Sequence, residues 1–447
     1  MQHLTTRRRS GEQVRAPKTL LSAVAVVSAL ALAGCGAGGG GQQAEAGSQA
    51  LTVLVEAGGK AELTGIAQKF TKETGTQVTF VELPYEGLYN RLNTEFSAGS
   101  TSFDVAALDA IWLPTFANAV TPLNDLFTDD VKADLFPALV QEAQVGESFV
   151  GMPVWTNSEI LFYRTDLFGD PKEKAAFSKQ YGYELAPPTT WKQYQDVAKF
   201  FTRDTDGDGE TDLYGTDVKG AVETEWLATV SQSGAEHMVL SPEGEVTVND
   251  ADHLAALDFY VGLTKDLKAA PPGAAQIDWA GAQNLFYQGE TAMMRFWAHA
   301  YPQTPKDSPF AGKIGAAPMI GGPGGVAGVP GPWYLSIPKS TKKQEAANDF
   351  LQFAYDNNAM GIDSSLGLAA RVSAFEQYEG KPGYEHFDAL VETLSAKGTK
   401  PRPATESWQE IVDTALVPML QKALEPGADN QALLDDAKKQ IEAITAK

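Results

Sequence analysis

Apolar positions early in the chain switch between two periods. Residues 51–55 form a short apolar run, and residues 61–74 place Leu63, Ile66, Ala67 and Phe70 on one helical face before Gly75 interrupts, the spacing of a helix with one buried side. Residues 78–81 are β-branched and aromatic, residues 85–98 carry Leu88, Leu92 and Phe96 on one side, and residues 103–108 are the next apolar run. This order predicts a βαβαβ unit and a mostly parallel sheet. In open sheets of this kind ligands sit beyond the carboxyl ends of the strands. Two acidic residues stand there: Glu56 in the turn after the first strand, and Asp109 after the third, with Trp112 just beyond.

The pattern is less regular further on. Pro187-Pro188 precedes an amphipathic helix over 191–202, and helical patterns follow near 251–268 and 283–287. Residues 321–331 are almost all Gly, Pro or small and read as a loop, and 333–337 return to a strand. Ser340 and Thr341 precede a helix running to about residue 355, with Gln344 three positions after Thr341 as in a capping box.

At the start of the chain Arg7, Arg8, Arg9, Arg15 and Lys18 precede an apolar run over 20–33 that is short for a membrane span. The run ends in Leu32-Ala33-Gly34-Cys35, which resembles the bacterial lipobox. That resemblance implies a diacylglyceryl group on the Cys35 thiol and cleavage before it, so residues 1–34 read as a lipoprotein signal peptide. Residues 35–50, rich in Gly, Ala, Gln and Ser, read as a flexible tether. Cys35 is the only cysteine, so no internal disulfide can form.

The formal net charge is −22 although five basic residues crowd the first eighteen positions. A globule this acidic lacks the basic footprint that nucleic acid or anionic lipid requires. Roughly 400 residues after the tether exceed what one core usually supports, which predicts two lobes.

The sharpest local motif is Asp204-Thr205-Asp206-Gly207-Asp208-Gly209-Glu210-Thr211-Asp212. Carboxylates at loop positions 1, 3 and 5, Gly at 6, a backbone carbonyl at Glu210 and a carboxylate at Asp212 match the first part of a calcium-binding loop. Position 12 is Gly215 instead of a bidentate Glu, so a closing carboxylate would have to come from elsewhere in the fold. A solvated Asp-Gly turn is the alternative; a structural Ca²⁺ is the expectation.

Four segments in order resemble the extracellular solute-binding proteins of carbohydrate ABC importers, the family that includes maltose- and trehalose-binding proteins. They are residues 153–168, ending in Thr165-Asp166-Leu167-Phe168; Thr189-Thr190-Trp191 with the later Tyr214-Gly215; Phe286-Tyr287-Gln288-Gly289-Glu290-Thr291-Ala292-Met293-Met294 with Trp297; and the Gly-rich loop leading into Trp333-Tyr334-Leu335-Ser336-Ile337. The resemblance implies an α/β, two-lobed periplasmic-binding-protein-like fold of type II, with ligand in the cleft and three crossings between lobes, near 154–158, 328–333 and 366–371. The lobes would take residues 51–155 plus 331–367 and residues 156–330 plus 368–447.

It further implies capture of a sugar or polyol and delivery to the permease subunits of an ABC importer by an exported, lipid-anchored monomer with no catalytic cofactor. Trp297 and Trp333 match positions that commonly line the family's cleft, although Trp is also a frequent core residue, and Arg371 stands where the family often offers a ligand-binding residue, although an Arg there could equally pair with one of the many carboxylates. Asn157 follows from its place in the first crossing. Sugars are gripped by aromatic faces and by planar polar groups on their hydroxyls. Trp112, Trp155, Trp226 and Trp279 are further candidates that helix packing would explain as well. The rival readings are a secreted carbohydrate-active hydrolase, which needs two carboxylates across a cleft, and a sugar-binding sensor lipoprotein not coupled to import. No H-E-x-x-H, no G-x-S-x-G and no Cys nucleophile stands in the globule.

Overall fold

The computed structural model describes residues 50–446. Residues 1–49, and with them the signal-peptide reading, Cys35 and nearly all of the tether, lie outside the described residues. Among the described residues no helix is long and apolar enough to cross a membrane.

Strands β1 (Leu51–Glu56), β2 (Val78–Leu83) and β3 (Val105–Asp109) alternate with helices α1 (Gly59–Thr74) and α2 (Tyr85–Ser97), as the apolar periods require. Leu63, Ile66, Ala67 and Phe70 are the buried face of α1. A first sheet has the order β2-β1-β3-β8-β4, where β4 is Met152–Trp155 and β8 is Trp333–Ser336. The three N-terminal strands are parallel, but β8, which enters the sheet after the second lobe, runs antiparallel to both of its neighbours.

A second sheet holds β5 (Glu159–Arg164) between β6 (Met293–Trp297) and β7 (Ile314–Ala317), wholly antiparallel. Helices α3 (Trp191–Phe201) and α4 (Ala251–Lys265) supply much of a second apolar core. That core also encloses charge. Lys219 and Arg295, both fully buried, pair with Glu225, and Lys219 also reaches Asp217 at 2.5 Å. Lys219 donates to the Arg295 carbonyl at 2.7 Å, which ties the middle of β6 to this cluster. The 321–331 segment includes a minimal hairpin, Gly321–Gly322 against Gly325–Val326.

The chain passes between sheets at 156–158 and again before β8. These two passages are joined: Ser158 bridges Pro330, and Gly331 N–H donates to the Asn157 carbonyl at 2.9 Å. The third passage was expected at 366–371, but that stretch stays with the first sheet. Thr156 N–H bonds the Ala369 carbonyl, Val372 N–H bonds the Asp134 carbonyl, and the chain reaches the second sheet with the later helix His386–Ser395, which packs on β5 and β7. The capping box is not formed either. Thr341 Oγ donates to Asp104 and accepts from Lys343 N–H instead of Gln344 N–H, and the Gln344 amide donates to the Pro338 carbonyl; helix Gln344–Asp356 begins three residues after Thr341.

Candidate functional site

The strand ends named in the sequence converge. Glu56 closes β1, Asp109 closes β3, Trp155 closes β4, and the antiparallel register sets Trp333 opposite both Asp109 and Trp155. Facing this row, the second sheet contributes Trp297 at the end of β6 and His299 beyond it, with Asn157 in the first crossing and Trp279 from helix Trp279–Gln288. Together they line a cavity of about 480 Å³, within the range of small-molecule clefts.

Its walls are aromatic. Trp333 stacks on Trp155 (5.7 Å, 22°) and meets Trp112 edge-on (5.6 Å, 78°). Opposite, Trp279 packs on Trp297 (5.5 Å) and edge-on to Phe296 (5.4 Å), the offset geometries that rings prefer. Two glycines make room for these indoles: a Cβ on Gly331 would lie 2.8 Å from the Trp297 ring, and one on Gly59 2.8 Å from Trp155.

Polar groups are few and mostly committed. Asp109 accepts from Tyr85 Oη (2.9 Å), Ile111 N–H (3.3 Å) and Arg402 Nη2 (3.2 Å). Arg402 lies in Pro401-Arg402-Pro403, a segment tied to the second lobe through Lys400, which donates to the Ala235 and Glu236 carbonyls. The Asp109–Arg402 ion pair therefore spans the cleft. Its side chains are 11% and 7% exposed, and Arg402 Nε has no hydrogen-bond partner among the described residues. Burial works against the Arg402 charge, but Asp109, Glu142, Tyr85 and Glu223 around it raise its pKa. Burial in turn pushes Glu142 up to about 8, against the pull of Arg402. At Glu56, burial outweighs the Gly59 N–H and, with the nearby Glu82, raises the carboxyl to about 7.

Asn157 Oδ1 accepts the N–H of Ser158 and of Ala298, each at 3.0 Å, and its Nδ2 contacts His299 Nδ1 at 2.7 Å. The amide thus locks the first crossing to the end of β6.

Glu56, Asp109, Asn157, Trp297 and Trp333 are brought together here. Arg371 is not: its Nε pairs with Asp134 at 2.6 Å, its Nη1 donates to the Tyr355 carbonyl, and it lies over the Tyr355 ring at 4.5 Å. The late third passage keeps it on the first lobe, away from the cavity. Trp155 and Trp279, which helix packing would explain as well, line the cavity, while Trp226 is fully buried in the second core and Trp112 is buried behind Trp333. Sequence reasoning did not single out Arg402, Tyr85 or His299. The flanking prolines of Arg402 were the one available signal; His299 had none.

In the acidic loop Asp204, Asp206 and Asp208 each offer a carboxylate oxygen within 4.8 Å of the others, a donor set that suits a hard cation. Asp204 also accepts the N–H groups of Gly207 and Gly209. Asp212 turns instead to Thr205, accepting from its N–H and hydroxyl, and the Glu210 side chain is not in the cluster.

Residues 55–361 match the sequence profile of the bacterial extracellular solute-binding proteins. A probable ABC transporter-binding protein of Deinococcus radiodurans is 27% identical over 385 residues, 81% of this chain and 86% of the relative. The mannitol-binding protein of Pseudomonas aeruginosa is 24% identical over 289 residues, 62% of this chain and 61% of the relative. Among solved structures, maltose-bound MalE3 of T. maritima superposes with a TM-score of 0.70 at 24% identity, covering 88% of this chain and 100% of that one. A solute-binding protein from Agrobacterium radiobacter K84 in complex with ribitol superposes with a TM-score of 0.69 at 23% identity, covering 89% and 98%. These likenesses establish the two-lobed binding-protein fold.

Proposed function

Because the chain belongs to the family of bacterial extracellular solute-binding proteins, we propose that it captures a sugar or polyol between its lobes and delivers it to an ABC importer. The observation that carries this reading is the cavity of about 480 Å³ walled by Trp155, Trp279, Trp297 and Trp333 with a few fixed polar groups. Indole faces match the C–H faces of a sugar, and the polar groups can meet its hydroxyls. One relative is a mannitol-binding protein, and fold neighbours hold bound maltose and ribitol, ligands of this kind.

Capture would proceed by bending at the joined passages 156–158 and 328–331. Only the closed form lets both aromatic walls touch one ligand, so the ligand stabilises closure by its higher affinity for that form. The Asp109–Arg402 pair forms across the same cleft and would favour closure from the protein side. The family is one of exported proteins; the lipobox-like Leu32-Ala33-Gly34-Cys35 supports anchoring of this chain through a lipid on Cys35, with the globule acting as a monomer. Asp204, Asp206 and Asp208 would hold a structural Ca²⁺ with no part in transport chemistry.

The test is a thermal-shift series on residues 35–447 against maltose, other mono- to trisaccharides, mannitol and ribitol, with product analysis. A ligand at 100-fold its Kd adds about 2.7 kcal/mol, a rise of several degrees. A rise without turnover is the expected result. No rise with any of these compounds would overturn the solute class, and turnover would move the chain to the hydrolase reading.

A further inference from the structure

We infer that Asn157 holds His299 as a neutral imidazole whose Nε2–H is a fixed hydrogen-bond donor facing the solute, so that the ligand group placed there must be an acceptor. The inference deepens the reading of the cavity as a solute site and rests on it.

The argument runs from the amide. Asn157 Oδ1 is oriented by two backbone donors, the N–H groups of Ser158 and Ala298. Those bonds leave Nδ2 as the atom 2.7 Å from His299 Nδ1, and an amide nitrogen can only donate. Nδ1 must therefore accept, so it carries no proton, and the neutral ring carries its proton on Nε2. The described residues give Nε2 no hydrogen-bond partner, and it is not among the side-chain nitrogens buried without one, so it is open to the cavity that the ring lines.

Protonating the ring would place two donors face to face across the Asn157 contact. Burial also disfavours the cation and lowers its pKa to about 4; the other ionisable groups lining the cavity, Glu56, Tyr85, Asp109 and Arg402, face the ring from the opposite side. The donor is thus present across the pH range in which an exported protein works.

This has a consequence for ligand class. A hydroxyl, ring oxygen or carboxylate can accept from Nε2–H, whereas an ammonium, which has only donors, cannot. At this point the cavity therefore offers a donor and selects an oxygen acceptor over an amino group. Asn157 acts through His299 and is a positioning residue, coupling the first crossing to the ligand-facing donor.

Two measurements on the full chain decide the matter. Long-range ¹H–¹⁵N spectra of histidine-labelled protein, with His299 assigned by loss of its signals in His299→Gln, should show the Nε2–H tautomer unchanged from pH 8 to pH 5. In Asn157→Asp, which keeps both backbone bonds but offers Nδ1 an acceptor, the ring should move to the Nδ1–H or doubly protonated form and titrate within that range. An Nδ1–H tautomer in the unmodified chain, or titration of its His299 near 6.5, would overturn the inference whether or not any sugar binds.

The second measurement is affinity for whichever of maltose, mannitol or ribitol raises the melting temperature. His299→Phe should weaken it about tenfold, while His299→Gln, which retains a donor, should stay within threefold. Unchanged affinity in His299→Phe would refute the ligand contact while leaving the tautomer result standing. If none of the three probes binds, the solute-class reading fails and the spectra alone decide the Asn157–His299 arrangement.

Discussion

Replacing Arg402 by Met should open the cleft and weaken solute binding by more than a hundredfold. Arg402 Nη2 and Asp109 Oδ1 are 3.2 Å apart with both side chains nearly buried. At an effective dielectric of about 20, unit charges at that distance attract by about 5 kcal/mol, part of which is spent on taking them out of water. Removing one member of a buried pair costs about 3–5 kcal/mol, because the remaining charge is left uncompensated. Here the residue left is Asp109, with Glu142 and Glu223 close enough to interact electrostatically with the Arg402 position. Opening the lobes relieves the penalty by hydrating those groups, so the cost falls on the closed, solute-holding form. About 3 kcal/mol is a little over a hundredfold in affinity.

The assay is titration calorimetry of Arg402→Met, Asp109→Asn and the double variant with the solute identified by thermal shift, alongside indole fluorescence, since Trp155, Trp279, Trp297 and Trp333 report on the cavity directly. Asp109→Asn should recover part of the loss in the Arg402→Met background, giving a coupling energy above about 1.5 kcal/mol. Single effects that add to within about 0.5 kcal/mol would refute the latch.

Stability should fall as pH rises from about 6.5 to 8. Burial raises Glu62 and Glu142 to about 8 and also raises Glu159. A carboxyl raised in the folded state contributes stability that is whole below its unfolded pKa near 4.5 and is lost as pH climbs through the folded value. Glu62, 2% exposed, contributes a slope approaching 1.4 kcal/mol per pH unit by itself. His299 and His386, lowered to about 4 by burial, act in the opposite sense only below about 6.5, so melting temperatures between pH 6.5 and 8.5 isolate the carboxyls; a rising trend there would contradict their burial. EGTA should lower the melting temperature of the unmodified chain but not of an Asp206→Asn/Asp208→Asn variant, because three carboxylates within 4.8 Å repel one another without a cation. Equal behaviour of the two proteins would remove the calcium reading.

Much of the fold was legible in the apolar pattern because helices and strands are local. The one-sided spacing of Leu63, Ile66, Ala67 and Phe70 needs only the helical period, and the acids following β1 and β3 could be placed at strand ends before any contact was known. The acidic loop was legible for the same reason, since nine consecutive residues supply its carboxylates. Where the structure departs from these expectations, distant partners decided: one departure is from a local signal, the other from a position given by the family resemblance. The capping box was lost because Thr341 found Asp104 and Gln344 found Pro338, and Arg371 left the candidate site because Asp134 and Tyr355 claimed it.

By itself, then, the sequence determined the alternation of strands and helices and the strand-end position of the cavity, which are properties of spacing along the chain, while chain length and the family resemblance implied the two-lobed class. Only the tertiary structure decided which side chains meet there. Arg402 reaches Asp109 across 293 residues, and His299 reaches Asn157 across 142. Such contacts depend on where each passage between lobes leaves the chain, and burial around them sets the ionisation of the acids and the tautomer of the imidazole. No period in the sequence encodes a distance of that kind, because it is the sum of every turn in between.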